Sequence, residues 1–458
     1  MKISLSQYRN ELKYFFEFEG IDTKVIQKSD RANYGPAKEI LDISPDSVGD
    51  EHKYFASYQK ECKFYMPINW RVEDLHPDII GLSAILLALP FAPERITLPL
   101  PVSKEFALNA EKITGRKIEP ICDSLQSRKN VEPGIPALLF SGGVDSTAAL
   151  GMLPNTAPLV YSQRIPRPDD PKSKRFSPDA ALNSCKELRD NGRSVFIIKN
   201  DMEYLLKPTS LTTHQAISVP ALLLADYLGL DCLAFGTVLE AAYGIGKGDF
   251  VDIKEKGNYK RLKELYSIVG IAYHPVTIGM TEVCTTILAD KTGYGHIAES
   301  CTRAKDGKPC KICIKCFRKS LLKMAIYNTF DSDEELTNRF LSPLVKKNLL
   351  QYPMSLENIY AYSLLKYNGN SEPMNIFKKY ITSGKRGYTW IDKWYEPSID
   401  ELAEKYRDQV IANADRLFEK MSTEDISEMK SFPKNGPSKE DYLVFKSEIE
   451  AFYKQFSK

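Results

Sequence analysis

The chain has 458 residues, enough for a large core shared among two or three domains. Hydrophobic residues make up 43% and charged residues 27%, which excludes a disordered or fibrous chain. The formal net charge of +2 excludes a strong global field toward nucleic acid, leaving nucleic acid only a local basic groove.

The first twenty residues carry charges throughout, so no signal peptide is expected. The longest apolar stretch, Ile79 to Phe91, is too short for a bilayer span. A cytoplasmic protein with no membrane partner is the expectation. Residues 1–130 read as an N-terminal α+β extension. Tyr14-Phe-Phe-Glu-Phe, Cys62-Lys-Phe-Tyr-Met and Arg95-Ile-Thr-Leu-Pro-Leu-Pro predict strands. His76 to Leu89 predicts a helix with Ile79, Ile80, Leu82, Ile85 and Leu86 on its apolar stripe, and Ser103 caps a second helix to Thr114. His52 and His76 are isolated and read as surface or packing residues. The polar stretch Ser124 to Pro136 reads as a connection.

Residues 131–326 alternate strands and helices. Strands are expected at Ala137–Phe140, Leu159–Ser162, Ser194–Ile198, Cys232–Phe235 and Ile271–His274. Helices are expected at Ser146–Leu153, Asp179–Asn191, Ala216–Leu228, Tyr259–Val269, Thr281–Asp290 and Ile314–Ile326. This is the pattern of a doubly wound parallel α/β sheet, whose ligands bind beyond the carboxyl ends of the strands. The stretches just after the strands are therefore the candidates: Ser141-Gly-Gly-Val-Asp-Ser146, Tyr161-Ser-Gln-Arg164 and Gly236-Thr-Val-Leu-Glu240.

The first of these is the strongest signal. An apolar strand feeds Ser141-Gly142-Gly143, and a helix-like run opens at once. Glycines let backbone N–H groups approach a phosphate, and Ser141 and Ser146 add hydroxyls. Asp145 suits such a loop when a cation intervenes, which points to Mg²⁺. No Lys follows the glycines, so this is not a GxxxxGK[ST] loop.

Cys301-x8-Cys310-x2-Cys313-x2-Cys316 is the second signal. Four thiolates so close close a tetrahedral shell around structural Zn²⁺, with an iron–sulfur cluster as the rival. Cys62, Cys122, Cys185, Cys232 and Cys284 are scattered and read as core residues.

Residues 327–458 read as a helical C-terminal domain. Ile399, Leu402, Tyr406, Val410, Leu417 and Met421 predict one long amphipathic helix. Phe432-Pro-Lys-Asn-Gly-Pro breaks it, and a last helix is expected from about Ser438 to Phe456. Trp390, Trp394 and Tyr395 lie near Lys378, Lys379, Lys385 and Arg386. They read as anchors of a helical cap in preference to stacking platforms for nucleic acid.

Ser-Gly-Gly-Val-Asp-Ser resembles the SGGxDS signature of the PP-loop, or N-type ATP pyrophosphatase, superfamily, whose members split ATP between the α- and β-phosphates. Together with the cysteine spacing, with Ser218-Val-Pro-Ala-Leu-Leu-Leu-Ala-Asp-Tyr-Leu-Gly-Leu, with Leu233-Ala-Phe-Gly-Thr and with Ser300-Cys301, it resembles the QueC (7-cyano-7-deazaguanine synthase) family over roughly residues 135–325. The resemblance implies ATP, Mg²⁺ and structural Zn²⁺ as cofactors, and 7-carboxy-7-deazaguanine, a deazaguanine carboxylate, as substrate. ATP would be held by Phe140, Ser141, Gly142, Gly143, Val144, Asp145, Ser146, Thr147, Tyr161 and Ser162. Asp145, Ser146 and Lys247 are the catalytic candidates. His214, Gln215, Gly236 and Glu240 are the substrate candidates, with Glu240 pairing a guanine-like edge. Zinc would fall to Cys301, Cys310, Cys313 and Cys316. A homo-oligomer is expected.

The chain departs from that family in the Glu240–Asp249 segment, in His214-Gln215 where Arg-Asn is usual, and in Cys310-Lys-Ile-Cys313 where a Gly is usual. About 130 extra residues lie at each end. Enlarged QueC-like proteins are similar to components of antiphage systems of the Qat and type IV CBASS kinds, which implies transfer to a protein amine as an alternative to ammonia. A non-catalytic ATP-binding subunit and a tRNA-modifying PP-loop enzyme are the other readings.

Overall fold

The computed structural model describes residues 1–17, 60–89, 92, 94–167, 177–205, 211–246, 248–384, 386–432, 434 and 436–456, and for His214 and Asn258 the backbone alone. His52, Phe91, Lys247 and Lys385 lie outside the described residues.

The N-terminal strands form because their apolar residues alternate. In β2 (Glu11–Glu17), Leu12, Tyr14 and Phe16 point inward and are buried, while the residues between them are half-buried or exposed. β2 runs antiparallel to β1 (Lys2–Tyr8) and β3 (Glu61–Tyr65). α1 (Pro77–Ala88) is buried on all sides. α2 (Lys104–Thr114) follows β4 (Arg95–Ser103), with the Ser103 hydroxyl accepting from the Phe106 amide at 3.2 Å. β5 (Lys117–Cys122) ends this part. β1 and β5 are strands that the sequence pattern did not disclose.

The next strands and helices alternate as expected: β6 (Ile135–Leu139), α3 (Val144–Leu150), β7 (Leu159–Arg164), α4 (Asp179–Asp190) and β8 (Val195–Asn200). The helix expected over Ala216–Leu228 is instead a 3-10 turn, His214–Ser218, followed by α5 (Val219–Leu222) and α6 (Ala225–Leu228). Pro220 has no amide with which to continue a helix entering from that turn. Then come β9 (Leu230–Ala234), α7 (Leu239–Tyr243), α8 (Gly257–Ser267), β10 (Ala272–His274), α9 (Glu282–Lys291) and α10 (Ile314–Tyr327).

All these strands belong to one ten-stranded sheet in the order β10-β9-β6-β7-β8-β3-β2-β1-β4-β5. β6 to β10 are parallel. β3 joins β8 antiparallel through Phe64 opposite Asn200 and Tyr65 opposite Lys199. The N-terminal extension thus prolongs the central sheet and shares its core. The architecture is α/β with a large, mostly parallel sheet, and its strand order is compatible with double winding about β6.

The C-terminal part consists of α11 (Asp333–Phe340), α12 (Pro343–Leu349), α13 (Glu357–Lys366), α14 (Glu372–Ile381), α15 (Glu404–Leu417), α16 (Thr423–Ser431) and α17 (Lys439–Gln455). Phe317 of α10 packs here with Phe340, Tyr360, Phe377 and Phe445 in a second core. The single long helix expected over Ile399–Met421 does not form. A 3-10 turn, Glu396–Glu401, precedes α15, and Met421 lies beyond it. The amides at both breaks are spent on distant partners: Ala403 N–H donates to His274 Nδ1 at 3.1 Å and Met421 N–H to the Trp394 carbonyl at 3.0 Å. Trp390, Trp394 and Tyr395 are buried, so they anchor the cap as expected. Among the described residues no helix is long and apolar enough to cross a membrane.

Candidate functional site

The carboxyl ends of β6, β7 and β9 converge on a cleft of about 510 Å³. Ser141, Gly143, Asp145 and Ser146 line it from the loop after β6, Tyr161 and Ser162 from β7, and Gly236 from the turn after β9. The remaining nucleotide candidates stand elsewhere. Phe140 and Thr147 are buried in the core. Val144 faces a neighbouring cavity, and Gly142 turns its carbonyl away to accept from the Glu299 amide at 2.9 Å.

The loop is folded by its own hydroxyls. Ser146 Oγ accepts from the Ser141 amide at 3.2 Å and donates to the Gly143 carbonyl at 3.0 Å, and it lies 3.0 Å from Ser141 Oγ. Gly142 has φ +75°, and a Cβ there would stand 2.8 Å from Ala181 Cα, so only glycine fits. A Cβ on Gly236 would come within 2.5 Å of the Asp145 carbonyl oxygen, so the turn after β9 is packed directly on the loop backbone.

Asp145 is held on one side only. Its Oδ1 accepts from the Thr285 hydroxyl at 2.9 Å and lies 3.7 Å from Lys319 Nζ. Its Oδ2 has no protein partner among the described residues. A free carboxylate oxygen beside hydroxyls and loop amides is a donor set that fits phosphate together with a hard cation such as Mg²⁺.

A buried ion cluster lies beneath. Glu282 pairs with Lys319 Nζ at 3.0 Å and Arg318 Nε at 3.1 Å. Burial would raise its pKa, but the Lys319 and Arg318 charges outweigh burial and hold it at about 2. Glu240 accepts from the Glu282 amide at 3.1 Å with each oxygen and from Asn358 Nδ2 at 2.8 Å. Burial, then the Glu282 charge, push its pKa up to about 7. Glu240 therefore caps α9 from inside the protein; the expectation is that it reads a guanine-like edge, but it is 1% exposed and does not line the cleft. Gln215 does not line the cleft either; its carbonyl accepts from the Ser218 hydroxyl at 2.6 Å. His214 sits in the 3-10 turn, and nothing of its side chain is described.

The sequence did not single out Thr285, Glu299, Lys315, Arg318 or Lys319. The one usable hint was the spacing of Lys315, Lys319 and Lys323, which puts three cations on one face of the expected helix.

Cys301, Cys310, Cys313 and Cys316 bring their sulfurs within 4.8 Å of one another. Cys313 and Cys316 Sγ stand 3.5 Å apart, and Cys310 and Cys316 Sγ 3.8 Å. Four thiolates on one zinc, with Zn–S of about 2.3 Å, stand roughly 3.8 Å apart. The set fits a single tetrahedral ion; a cubane binds each thiolate to a different iron and needs a wider spread. Lys311 takes φ +58° in the Cys310–Cys313 knuckle. The Cys301 amide donates to Glu299 Oε1 at 2.6 Å, and Ser300 Oγ accepts from the Val144 amide at 3.2 Å. The strap Glu299–Cys301 therefore ties the cysteine cluster to the loop.

Residues 261–433 match the model of a family of unknown function, DUF6395. The matched stretch takes in the cysteine cluster, the Glu282–Arg318–Lys319 cluster and most of the C-terminal helices, and leaves the Ser141–Ser146 loop outside. No curated protein matches the chain, and no solved structure matches it.

Proposed function

We propose that this chain is an ATP-dependent enzyme of the PP-loop kind that activates a carboxylate and releases pyrophosphate. The observation that carries the reading is the position of Ser141–Ser146. The loop leaves β6 where the sheet order turns, with β7 on one side and β9 on the other, and it opens on the cleft. In this reading residues 131–326 form the doubly wound catalytic domain.

A carboxylate oxygen of the substrate attacks the α-phosphorus, the bond to the bridging oxygen of the β-phosphate breaks, and pyrophosphate leaves with that electron pair. An amine then takes the acyl group and AMP departs. The reaction needs in-line positioning and charge stabilisation more than proton transfer. Ser141 and Ser146 hydroxyls and the Gly143 amide would hold phosphate oxygens. Asp145 Oδ2 would hold magnesium, which supplies charge neutralisation on the phosphates when bound. Thr285 and Lys319 fix the Asp145 carboxylate by its other oxygen.

From the QueC-like resemblance, 7-carboxy-7-deazaguanine is the first substrate to try. The segment after β9 supports a substrate site built differently from that family. Tyr243 packs edge-on to Tyr395 with centroids 5.3 Å apart, and Glu240 is committed to α9. That departure favours, as second reading, the same activation with a macromolecular amine as acceptor, as in antiphage defence.

The test is pyrophosphate release from ATP and Mg²⁺ with 7-carboxy-7-deazaguanine, followed by intact mass of co-expressed protein partners. Asp145→Asn is expected to slow release on the order of 10²-fold with little change in melting temperature. No release with any carboxylated deazaguanine sinks the enzymatic reading.

A further inference from the structure

Behind the strap lies a second cavity of about 300 Å³. It is walled by α9, the strap, α10 and α11. Its charged lining is lopsided: Lys311, Lys315, Lys319, Lys323 and Arg339, with His296, against the carboxylate Glu299 and the edge of the four-thiolate cluster at Cys301 and Cys316, doubly negative overall when it holds zinc. Three of the lysines repeat every four residues along α10, so one helix face turns into the cavity.

Some of that charge is already spent. Lys319 pairs with Glu282, Lys323 Nζ lies 3.4 Å from Asp290 Oδ1, Arg339 pairs with Asp331, and His296 Nε2 meets Glu187 at 2.5 Å. Lys311 and Lys315 have no ion-pair partner among the described residues. The one lining carboxylate has its Oε1 engaged by the Cys301 amide. Ser300, whose Oγ accepts from the Val144 amide, keeps its own hydrogen to donate. Lysine ammoniums are compact point charges. Several of them around a small, partly open cavity suit a compact anion of multiple charge better than an extended chain.

We infer that this cavity is a second anion site, separate from the cleft, that takes pyrophosphate or orthophosphate. Lys315 lines both cavities and Val144 of the loop lines the second, so the site is next door to where the cleft would release pyrophosphate. The anion site stands on its own lining; only the supply of pyrophosphate rests on the proposed activity.

Calorimetric titration of the full, metal-loaded chain tests it, with pyrophosphate and orthophosphate as probes. Each probe is titrated without and with saturating α,β-methylene ATP. Lys323→Glu lines the second cavity alone and is partly exposed, and Lys323→Gln provides a milder change. The expectation is pyrophosphate binding that survives the analogue and weakens about tenfold in Lys323→Glu, less in Lys323→Gln. Tighter binding of pyrophosphate than of orthophosphate assigns the site to the diphosphate, and equal binding assigns it to a single phosphoryl group. Binding that the analogue abolishes, or that neither variant changes, overturns the inference and leaves the nucleotide reading intact. If the analogue itself does not bind while pyrophosphate binding still depends on Lys323, the nucleotide reading fails and the anion site stands.

Discussion

Two cavities share the strap Glu299–Cys301 as a wall, and they differ in what their charges are doing. The cleft has an acid, Asp145, held by one oxygen, the other having no protein partner among the described residues, beside serine hydroxyls. The second cavity has five cations, one carboxylate with an oxygen engaged by backbone, and the Cys301 and Cys316 edge of the cysteine cluster. A phosphate is the ligand proposed for both; the cysteine cluster adjoins the cleft through Cys301 and the second cavity through Cys301 and Cys316, but only the cleft has a carboxylate oxygen left over for a further cation. Lys319 belongs to both settings: it pairs with Asp145 and Glu282 while lining the second cavity. The chemistry of each space is thus set by where its carboxylates spend their lone pairs, not by how many charges surround it.

The largest expected effect removes the wall between them. Native mass spectrometry should find one zinc per chain, and Cys310→Ser should lose it with several kcal/mol of stability, because binding energy at such a site is folding energy. The proposed nucleotide site and the proposed anion site should vanish together. A chain that keeps its melting temperature and both sites without metal would show that the strap needs no anchor.

Gly236→Ala should damage the cleft alone. Its Cβ would meet the Asp145 carbonyl oxygen at 2.5 Å and the Ser146 nitrogen at 2.8 Å, so the loop must move. A loss of roughly 1–3 kcal/mol is expected, with nucleotide-analogue binding lost and the second anion site kept. Loss of both sites would blur the distinction.

The ion cluster under the wall gives a pH dependence. Glu240 has a folded pKa raised to about 7, so the folded state holds its proton where the unfolded chain has released it. Its contribution is full below the unfolded value of about 4.5 and is lost as pH rises through 7. Glu282 acts in the opposite sense: its folded pKa of about 2 gives stability present above about 4.5 and lost as pH falls toward 2. Glu240→Gln should flatten the decline in melting temperature between pH 5 and about 8 while leaving the acid limb unchanged. An unaltered decline would show that Glu240 is not the group responsible.

The smallest effect is at the knuckle. Lys311 holds φ +58°, and Lys311→Gly should relieve it by up to about 1 kcal/mol. The melting temperature should rise slightly while zinc is retained, and a fall would mean that the Lys311 side chain contributes more than its backbone costs.

The sequence alone determined what is local. A strand, two glycines, an acid and two serines within a few residues announce a tight, hydroxyl-folded loop between strand and helix, because turn geometry and hydroxyl capping act over short range. Four cysteines within sixteen positions announce a metal shell for the same reason. The strands β6 to β10 were legible from apolar runs, the Ser103 helix start from its cap, and the last helix from the break before it. Tertiary structure decided the rest. That β3 joins β8, and so makes one sheet of two expected units, depends on pairing between Phe64 and Asn200. That Glu240 is a buried cap depends on Asn358, 118 positions away, and on Glu282. The break before α15 depends on His274, and the strap on a contact spanning 156 positions between Val144 and Ser300. A carboxylate after a strand looks the same in sequence whether it faces a substrate or a helix end. Only the chain that packs against it determines which hydrogen bonds it makes, and therefore whether it is available for chemistry.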